Sequence, residues 1–171
     1  LAGEVCWAHA DLVEINLGCP NVWEGGKQKR IASFDPGLVE EILRTVGQAV
    51  TGHRTRVAVK VSPYSDPVLL SEVASVIAAD WPLMIISAVT ACNTFPNAFA
   101  YREDGKSAIS PEFSNGLAGL AGPALKAISL GQVMQWRDLL PSHIDVIGVG
   151  GINSGQDVID YLKAGARAVQ I

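Results

Sequence analysis

The sequence predicts an α/β protein built as a (β/α)8 TIM barrel, with about five of the eight strand–helix units present. Three observations carry that expectation. Short apolar, β-branched runs alternate with stretches of helical periodicity along the whole chain, the pattern of a parallel sheet with crossover helices. The repeat of about 25–45 residues suits one barrel unit. Residues able to do chemistry fall at the carboxyl ends of the predicted strands, where barrels place their sites. An open doubly wound sheet ranks second, because no Gly-x-Gly-x-x-Gly turn follows a first strand. A complete barrel needs about 250 residues, and the chain has 171, opening on Leu1 in mid-pattern and stopping at Ile171 inside a strand. The expectation is therefore that residues 1–171 are part of a single barrel domain, truncated at both ends.

Residues 1–10 read as the end of a helix with Val5, Cys6 and Ala8 on its apolar side. Residues 12–17 form a strand, since Leu12, Val13, Ile15 and Leu17 suit a buried pleated position. The strand runs into Gly18-Cys19-Pro20-Asn21, where glycine permits unusual dihedrals and proline ends the ladder. A polar loop over residues 22–33 contains Gly25-Gly26. Asp35-Pro36 starts a helix with an N-cap side chain and a proline where no backbone donor is needed. Leu38, Val39, Ile42, Leu43, Val46 and Val50 follow at helical spacing, and Gly52 ends the run.

Residues 56–62 are the second strand, with Val57, Val59 and Val61 alternating around Lys60 and Pro63 closing it. Asp66-Pro67 repeats the cap, and Leu69, Leu70, Val73, Val76 and Ile77 give the next helix. A third strand over residues 83–89 is a continuous apolar run, as a central parallel strand should be. Residues 90–119 form a long loop in which Asp104-Gly105 turns a hairpin between residues 98–102 and 106–110; loops of this length in compact domains are usually functional. A helix over residues 123–140 turns Leu125, Ile128, Val133, Trp136 and Leu140 inward. The fourth strand is Asp145–Val149. Ser154 caps the last helix with Asp157 three residues on and Val158, Tyr161 and Leu162 inward; Gly165 ends it, and Ala168 opens a fifth strand.

Composition narrows the function. Hydrophobic residues at 49% and charged residues at 18% exclude a disordered chain. A net charge of -4 and a pI of about 5.3 give no general attraction to nucleic acid or an anionic membrane, and neither is expected as a partner. The one basic run, Lys27-Gln28-Lys29-Arg30, reads as a solvated loop. Cys6, Cys19 and Cys92 are widely spaced and odd in number, so neither a disulfide framework nor a zinc site is indicated. No metal is expected, and the default compartment is the reducing cytoplasm. His9, His53 and His143 read as surface. No apolar run reaches the roughly 18 residues that span a bilayer.

Four strand ends carry special residues. The first presents Asn16, Cys19 and Asn21, although a free cysteine alone reads equally well as inert core. The second carries Lys60, whose unpaired burial would be costly, so it should face a ligand at the open end. The third runs into the small polar stretch Thr90-Ala91-Cys92-Asn93-Thr94. The fourth ends at Gly150-Gly151, where missing side chains let backbone donors approach an anion. Barrels commonly bind phosphate after their last two strands. Together these describe a phosphate-bearing cofactor, a lysine beside an electron-rich group, amides for a planar polar substrate, and a thiol. No Gly-x-Ser-x-Gly nucleophile turn is present.

Six pieces in order carry a resemblance: residues 14–22 (Glu-Ile-Asn-Leu-Gly-Cys-Pro-Asn-Val), residues 59–64 (Val-Lys-Val-Ser-Pro-Tyr), Asn93-Thr94, residues 119–126 (Gly-Leu-Ala-Gly-Pro-Ala-Leu-Lys), residues 147–157 with their Gly-Val-Gly-Gly-Ile, and residues 165–171. Across nearly its whole length the chain resembles the soluble, cysteine-base class of dihydroorotate dehydrogenase, an FMN-dependent barrel enzyme of pyrimidine synthesis. That resemblance implies Cys19 as the base that takes a proton from C5 of dihydroorotate. It implies Asn16, Asn21, Asn93 and Thr94 as substrate contacts, and Lys60, Gly122, Gly150 and Gly151 as FMN contacts. It also implies dihydroorotate or orotate as the small-molecule partner, a homodimer or an iron–sulfur flavoprotein subunit as protein partner, and fumarate or NAD as electron acceptor.

Three positions depart from the family pattern. Gly18 stands where serine is common, Ala118 replaces the first of two glycines, and Ala127 replaces a proline after Lys126. Asn-Leu-Gly-Cys-Pro is also similar to the tRNA-dihydrouridine synthases, and the Asn93-Thr94 stretch to dihydropyrimidine dehydrogenase. A flavin barrel reductase of pyrimidines is therefore the alternative function; Asn21, residues 119–126 and the acidic pI speak against a tRNA substrate.

Overall fold

The structure is a computed structural model and describes residues 2–79, 81 and 86–171. Five parallel strands form the main sheet: β1 (Leu12–Asn16), β4 (Arg56–Val61), β5 (Ile86–Ala91), β8 (Asp145–Val149) and β9 (Ala168–Gln170). Their spatial order is β1-β4-β5-β8-β9, so each strand lies beside the next one contributed by a β–α–β unit. Between them run α2 (Pro36–Val50), α3 (Pro67–Ile77), α5 (Lys126–Leu139) and α6 (Gly155–Lys163), with α1 (Ala2–His9) leading in.

The sheet is curled. β1 and β9 are its opposite edges, and in a flat sheet four strand spacings would hold them about 19 Å apart. That is far beyond the joint reach of a glutamate and a glutamine side chain. Yet Glu14 Oε2 on β1 accepts from Gln170 Nε2 on β9 at 2.8 Å, and from Thr90 Oγ1 on β5 at 2.5 Å. The strands must therefore bend round a common concave face, as barrel strands do. Cross-strand partners share a face, so the register Asn16↔Lys60↔Thr90 puts all three on that concave side.

The convex side is the hydrophobic core. Val57, Val59, Val61 and Val89 are fully buried, and Val146 nearly so. They share one cluster with Val39 and Leu43 of α2, Val73 and Ile77 of α3, and Val133 and Trp136 of α5. Each such side chain contributes about 1.5–3 kcal/mol by leaving water. The predicted helix starts hold: Asp35 accepts from the Leu38 amide at 3.2 Å, and Asp66 from the Val68 amide at 2.9 Å. Gly148, in register with Ala91 and Val61, lies on this side and faces α6. A Cβ there would sit 2.3 Å from the ring of Tyr161, which is fully buried and donates its hydroxyl to the Gly150 carbonyl at 2.6 Å.

Several expectations need correction. In α1 it is Trp7 that is buried, while Cys6 and Ala8 are exposed; the largest apolar side chain sets the phase of a short helix. The side chain of Val5 and residues 83–85 of the third strand lie outside the described residues, and β5 continues through Thr90 and Ala91. The loop over residues 22–33 holds a small hairpin, β2 (Trp23–Glu24) and β3 (Lys27–Gln28), turned by Gly25 and Gly26 at positive φ. The loop over residues 90–119 is likewise built: β6 (Phe95–Ala98) pairs antiparallel with β7 (Ala118–Leu120), and a short helix, α4, spans Pro111–Ser114. Its predicted hairpin is present, with Tyr101 bridged to Ser107 and Gly105 at φ 77°. Pro123–Leu125 is a 3-10 turn ahead of α5, and Leu162 is exposed.

Gly148→Ala should destabilise the protein by about 1–3 kcal/mol, the usual cost of overpacking a filled site. The check is the urea unfolding midpoint. An unchanged midpoint would mean that the Tyr161 ring yields freely.

Candidate active site

The carboxyl ends of the strands converge as the sequence indicated, and hydrogen bonds join them. Asn16 at the end of β1 accepts from the Gly18 amide at 3.0 Å and from Asn93 Nδ2, beyond β5, at 2.9 Å. Asn93 Oδ1 in turn accepts from the Thr94 amide at 2.9 Å. Asn16, Asn93 and Thr94 are thus one network across two strand ends. Lys60 lies between Asn16 and Thr90 in register, half-buried, with no salt bridge or hydrogen bond from its ammonium among the described residues. A cation presented without a partner on a concave face suits an anionic or electron-rich ligand.

Cys19 and Asn21 are exposed and flank the buried Pro20. Gln28 of β3 donates to the Pro20 carbonyl and to Asn97 Oδ1, each at 2.8 Å, so the small hairpin and β6 close over this turn. β7 passes as closely: a Cβ on Gly119 would lie 2.0 Å from Thr94 Oγ1 and 3.4 Å from Pro20. Gly18 answers the first departure from the family pattern. Its missing Cβ would meet the backbone of Val61 and Ser62 at 2.6 Å, while Ser62 Oγ donates to the Gly18 carbonyl at 2.9 Å. In this chain the turn lies flush on β4, and a serine would need the backbone to move.

The glycines form a second cluster. Gly122, Gly150 and Gly151 have φ of 74°, 120° and 67°, a region that disfavours side chains. A Cβ on Gly151 would come within 2.7 Å of the Gly122 carbonyl and 3.1 Å of the Lys126 nitrogen, so the two glycine loops pack directly on each other. Beside Gly122 the space is open. Lys126 Nζ holds Asp157 Oδ1 at 2.5 Å and Asp160 Oδ2 at 2.7 Å. The Asp157 and then the Asp160 carboxylates push the Lys126 ammonium up to about 12. Lys126, then the Asn153 amide and the Ser154 hydroxyl, hold Asp157 well below the usual carboxylate range.

Sequence reasoning missed the supports. Gln132, buried on α5, accepts from the Tyr64 amide and donates to the Tyr64 carbonyl, both at 2.9 Å. Tyr64 donates its hydroxyl to the Ser33 carbonyl at 2.5 Å, and burial raises its phenol well above the ordinary value, so it stays a donor. Ser129 donates to the Val149 carbonyl and lies 3.3 Å from Cys92 Sγ. Burial pushes the Cys92 thiol up, opposed in part by Ser129 and by the Lys60 charge, so Cys92 is a packed thiol and Cys19 the accessible one. The available signal was two polar residues, Ser129 and Gln132, at helical spacing on the face that also carries Val133 and Trp136.

A separate cavity of about 440 Å³ at the amino ends of the strands is lined by Asp11, Arg54, Arg56, Asp145 and Arg167. It contains none of the residues above and lies at the end of the sheet opposite to where barrels do chemistry. Among the described residues no group of three or more His, Cys, Asp or Glu is placed to hold a metal. No described helix is long and apolar enough to cross a membrane.

These strand ends define an α/β barrel site with a side-chain cluster at one side and a glycine cradle at the other. The family model for dihydroorotate dehydrogenase matches residues 4–171. The catalytic subunit of dihydroorotate dehydrogenase B (NAD(+)) from Methanopyrus kandleri is 38% identical over 162 residues, covering 95% of this chain and 47% of that protein. The same subunit from Staphylococcus carnosus is 38% identical, covering 93% and 46%. Dihydroorotate dehydrogenase A (fumarate) from Limosilactobacillus reuteri is 33% identical with the same two shares. The crystal structure of a DHODH from Eimeria tenella in complex with ferulenol superposes with a TM-score of 0.67 at 23% identity, covering 99% of this chain and 47% of that one; it bears on the fold alone. The chain belongs to the dihydroorotate dehydrogenase family. It spans about half the length of the curated relatives it matches.

The depressed Asp157 carboxylate carries a pH signature. A carboxylate lowered in the folded state contributes stability above its unfolded pKa of about 3.9 and loses it as pH falls through the lowered value. Asp157→Asn should therefore be less stable than the parent at neutral pH, and the gap should narrow progressively as pH falls below about 4. Thermal unfolding from pH 7 to pH 2.5, roughly the span around that pKa, tests this. A gap that is constant across the range would contradict it.

Proposed function

We propose that the protein containing this chain oxidises dihydroorotate to orotate with FMN, within one barrel domain. The observation that carries the reading is the Asn16–Asn93 contact at 2.9 Å, with the accessible Cys19 three residues along and, beside Asn16, Lys60, whose ammonium has no partner among the described residues. Amides and a thiol on one rim suit a planar, hydrogen-bonding ring that must lose a proton. Asn16, Asn21, Asn93 and Thr94 would hold the ring and its carboxylate, donating and accepting in the plane. Cys19 would remove the C5 proton as general base. Lys60 would offset negative charge as electrons leave the substrate.

The open space beside Gly122, next to Gly150 and Gly151 with all three at positive φ, supports FMN here, its phosphate taken by backbone donors of these loops. When bound, the flavin would supply the hydride acceptor. The relatives' designation as the catalytic subunit of an NAD(+) enzyme supports a partner subunit that passes electrons on. The fumarate-type relative supports the simpler arrangement. Assays with fumarate and with NAD+ separate the two. The free cysteines support a reducing, cytoplasmic location.

The test is anaerobic bleaching of the full-length holoprotein by dihydroorotate. Bleaching by dihydrouracil but not dihydroorotate would favour the pyrimidine-reductase alternative. Cys19→Ser should bind orotate nearly normally but turn over about a hundred to ten thousand times more slowly at neutral pH, the usual loss of a general base. A hydroxyl fits the same turn but is a far weaker acid than a thiol. Wild-type turnover in Cys19→Ser would remove Cys19 from the role of base. Lys60→Ala should lower kcat more than it raises KM, because its charge matters most in the transition state. An effect confined to KM would make Lys60 a binding residue only.

A further inference from the structure

Lys126 lies outside the substrate cluster, yet three segments meet on it. It opens α5 directly after the Gly122–Leu125 turn, whose Leu125 amide donates to the Gly122 carbonyl at 2.9 Å. Its main chain and Cβ are what a side chain on Gly151 would strike, at 3.1 and 3.0 Å. Its ammonium reaches across to α6, to Asp157 and Asp160. Asp157 then uses its other oxygen to accept from the Asn153 amide at 2.9 Å and from Ser154 Oγ at 2.8 Å. The same lysine therefore ties the Gly122 turn to the segment that leaves Gly151 and enters α6.

We infer that Lys126 is a positioning residue for the phosphate end of the flavin. It would clamp the two glycine loops together and neutralise the carboxylates that would otherwise face an incoming phosphate. The inference rests on the FMN reading above and extends it to a residue that need not touch the cofactor. The ammonium is shared between two carboxylates, so its effect runs through loop geometry and charge balance. The three partners are only partly shielded from water, with side-chain exposures of 25%, 16% and 32% for Lys126, Asp157 and Asp160. The clamp is accordingly a local brace on the loops, not part of the core.

A structural defect alone would weaken every flavin alike, whereas a phosphate-loop defect discriminates by phosphate. The experiment compares FMN with riboflavin, which lacks the phosphate, on full-length apoprotein by fluorescence titration. Lys126→Met should weaken FMN about tenfold or more, the scale of losing charge-assisted hydrogen bonds at a binding loop, and leave riboflavin within about twofold. Lys126→Arg, still able to bridge two carboxylates, should recover most of the FMN affinity. If Lys126→Met does not fold, Asp160→Asn removes one of the two contacts and should weaken FMN by less, again sparing riboflavin. Unchanged FMN affinity in these variants, or equal losses for both flavins, overturns the inference while leaving the FMN reading intact. A parent protein that binds neither flavin overturns both.

Discussion

The bend of the sheet is the constraint on which the rest depends, and one carboxylate marks it. Glu14 reaches across the concave face to Thr90 and to Gln170, joining the two strands that are farthest apart in the sheet order. A half-buried carboxylate is costly unless donors meet it. Here a hydroxyl and an amide do so, without spending a second buried charge. Because the strands curl about this point, their carboxyl ends draw together. Asn16 can then bond Asn93, and Lys60 stands between the strands that carry them. In a flat sheet these side chains would lie in a row and could not surround a ligand.

Curvature alone does not fix loops, and a second layer of buried polar contacts does. The segment after β4 is held from both sides. Gln132 takes the Tyr64 amide and carbonyl, Tyr64 takes the Ser33 carbonyl, and Ser33 Oγ accepts from the Ser62 amide at 3.1 Å. Ser62 then donates to Gly18, next to Cys19. The chain of contacts runs from α5 to the proposed base through backbone groups that would otherwise be buried without partners. Such fully satisfied networks rigidify what they surround.

The sequence carried the sheet, the capped helices and the strand-end residues because each rests on a local rule. Asp35-Pro36 and Asp66-Pro67 state their caps outright, and Val57-Ala58-Val59 states its burial. Asn16, Lys60 and Asn93 were legible as polar residues where apolar strands end. What was not legible rests on distant geometry. Phe95–Ala98 and Ala118–Leu120 contain proline and glycine, have little strand propensity, and pair only because the intervening excursion folds back. Gln132 and Ser129 looked like ordinary polar breaks in an amphipathic helix until their partners, 68 and 20 residues away, came into contact. In α1 the buried face is set by Trp7 and not by Cys6 and Ala8, because the indole has far more apolar surface to bury than a thiol or a methyl group.

The two halves of the proposed site are built from different materials, and the difference suits the ligands proposed for them. A pyrimidine ring presents donors and acceptors at fixed points in a plane, so discrimination needs side chains of defined length, and the rim supplies asparagines, a threonine and a thiol. A phosphate presents several equivalent oxygens and strong charge, so closely approaching backbone donors serve it best. Gly122 leaves open space for that approach, while Gly150 and Gly151 spend their missing side chains on packing against Leu125 and the Gly122 turn, but glycine loops are intrinsically loose. Something else must hold their shape. Tyr161 does so from below, by its bond to the Gly150 carbonyl, and the Lys126 clamp does so from the side. The glycine at 148 belongs to the same arrangement: only without a side chain there can the Tyr161 ring lie close enough for its hydroxyl to reach the loop.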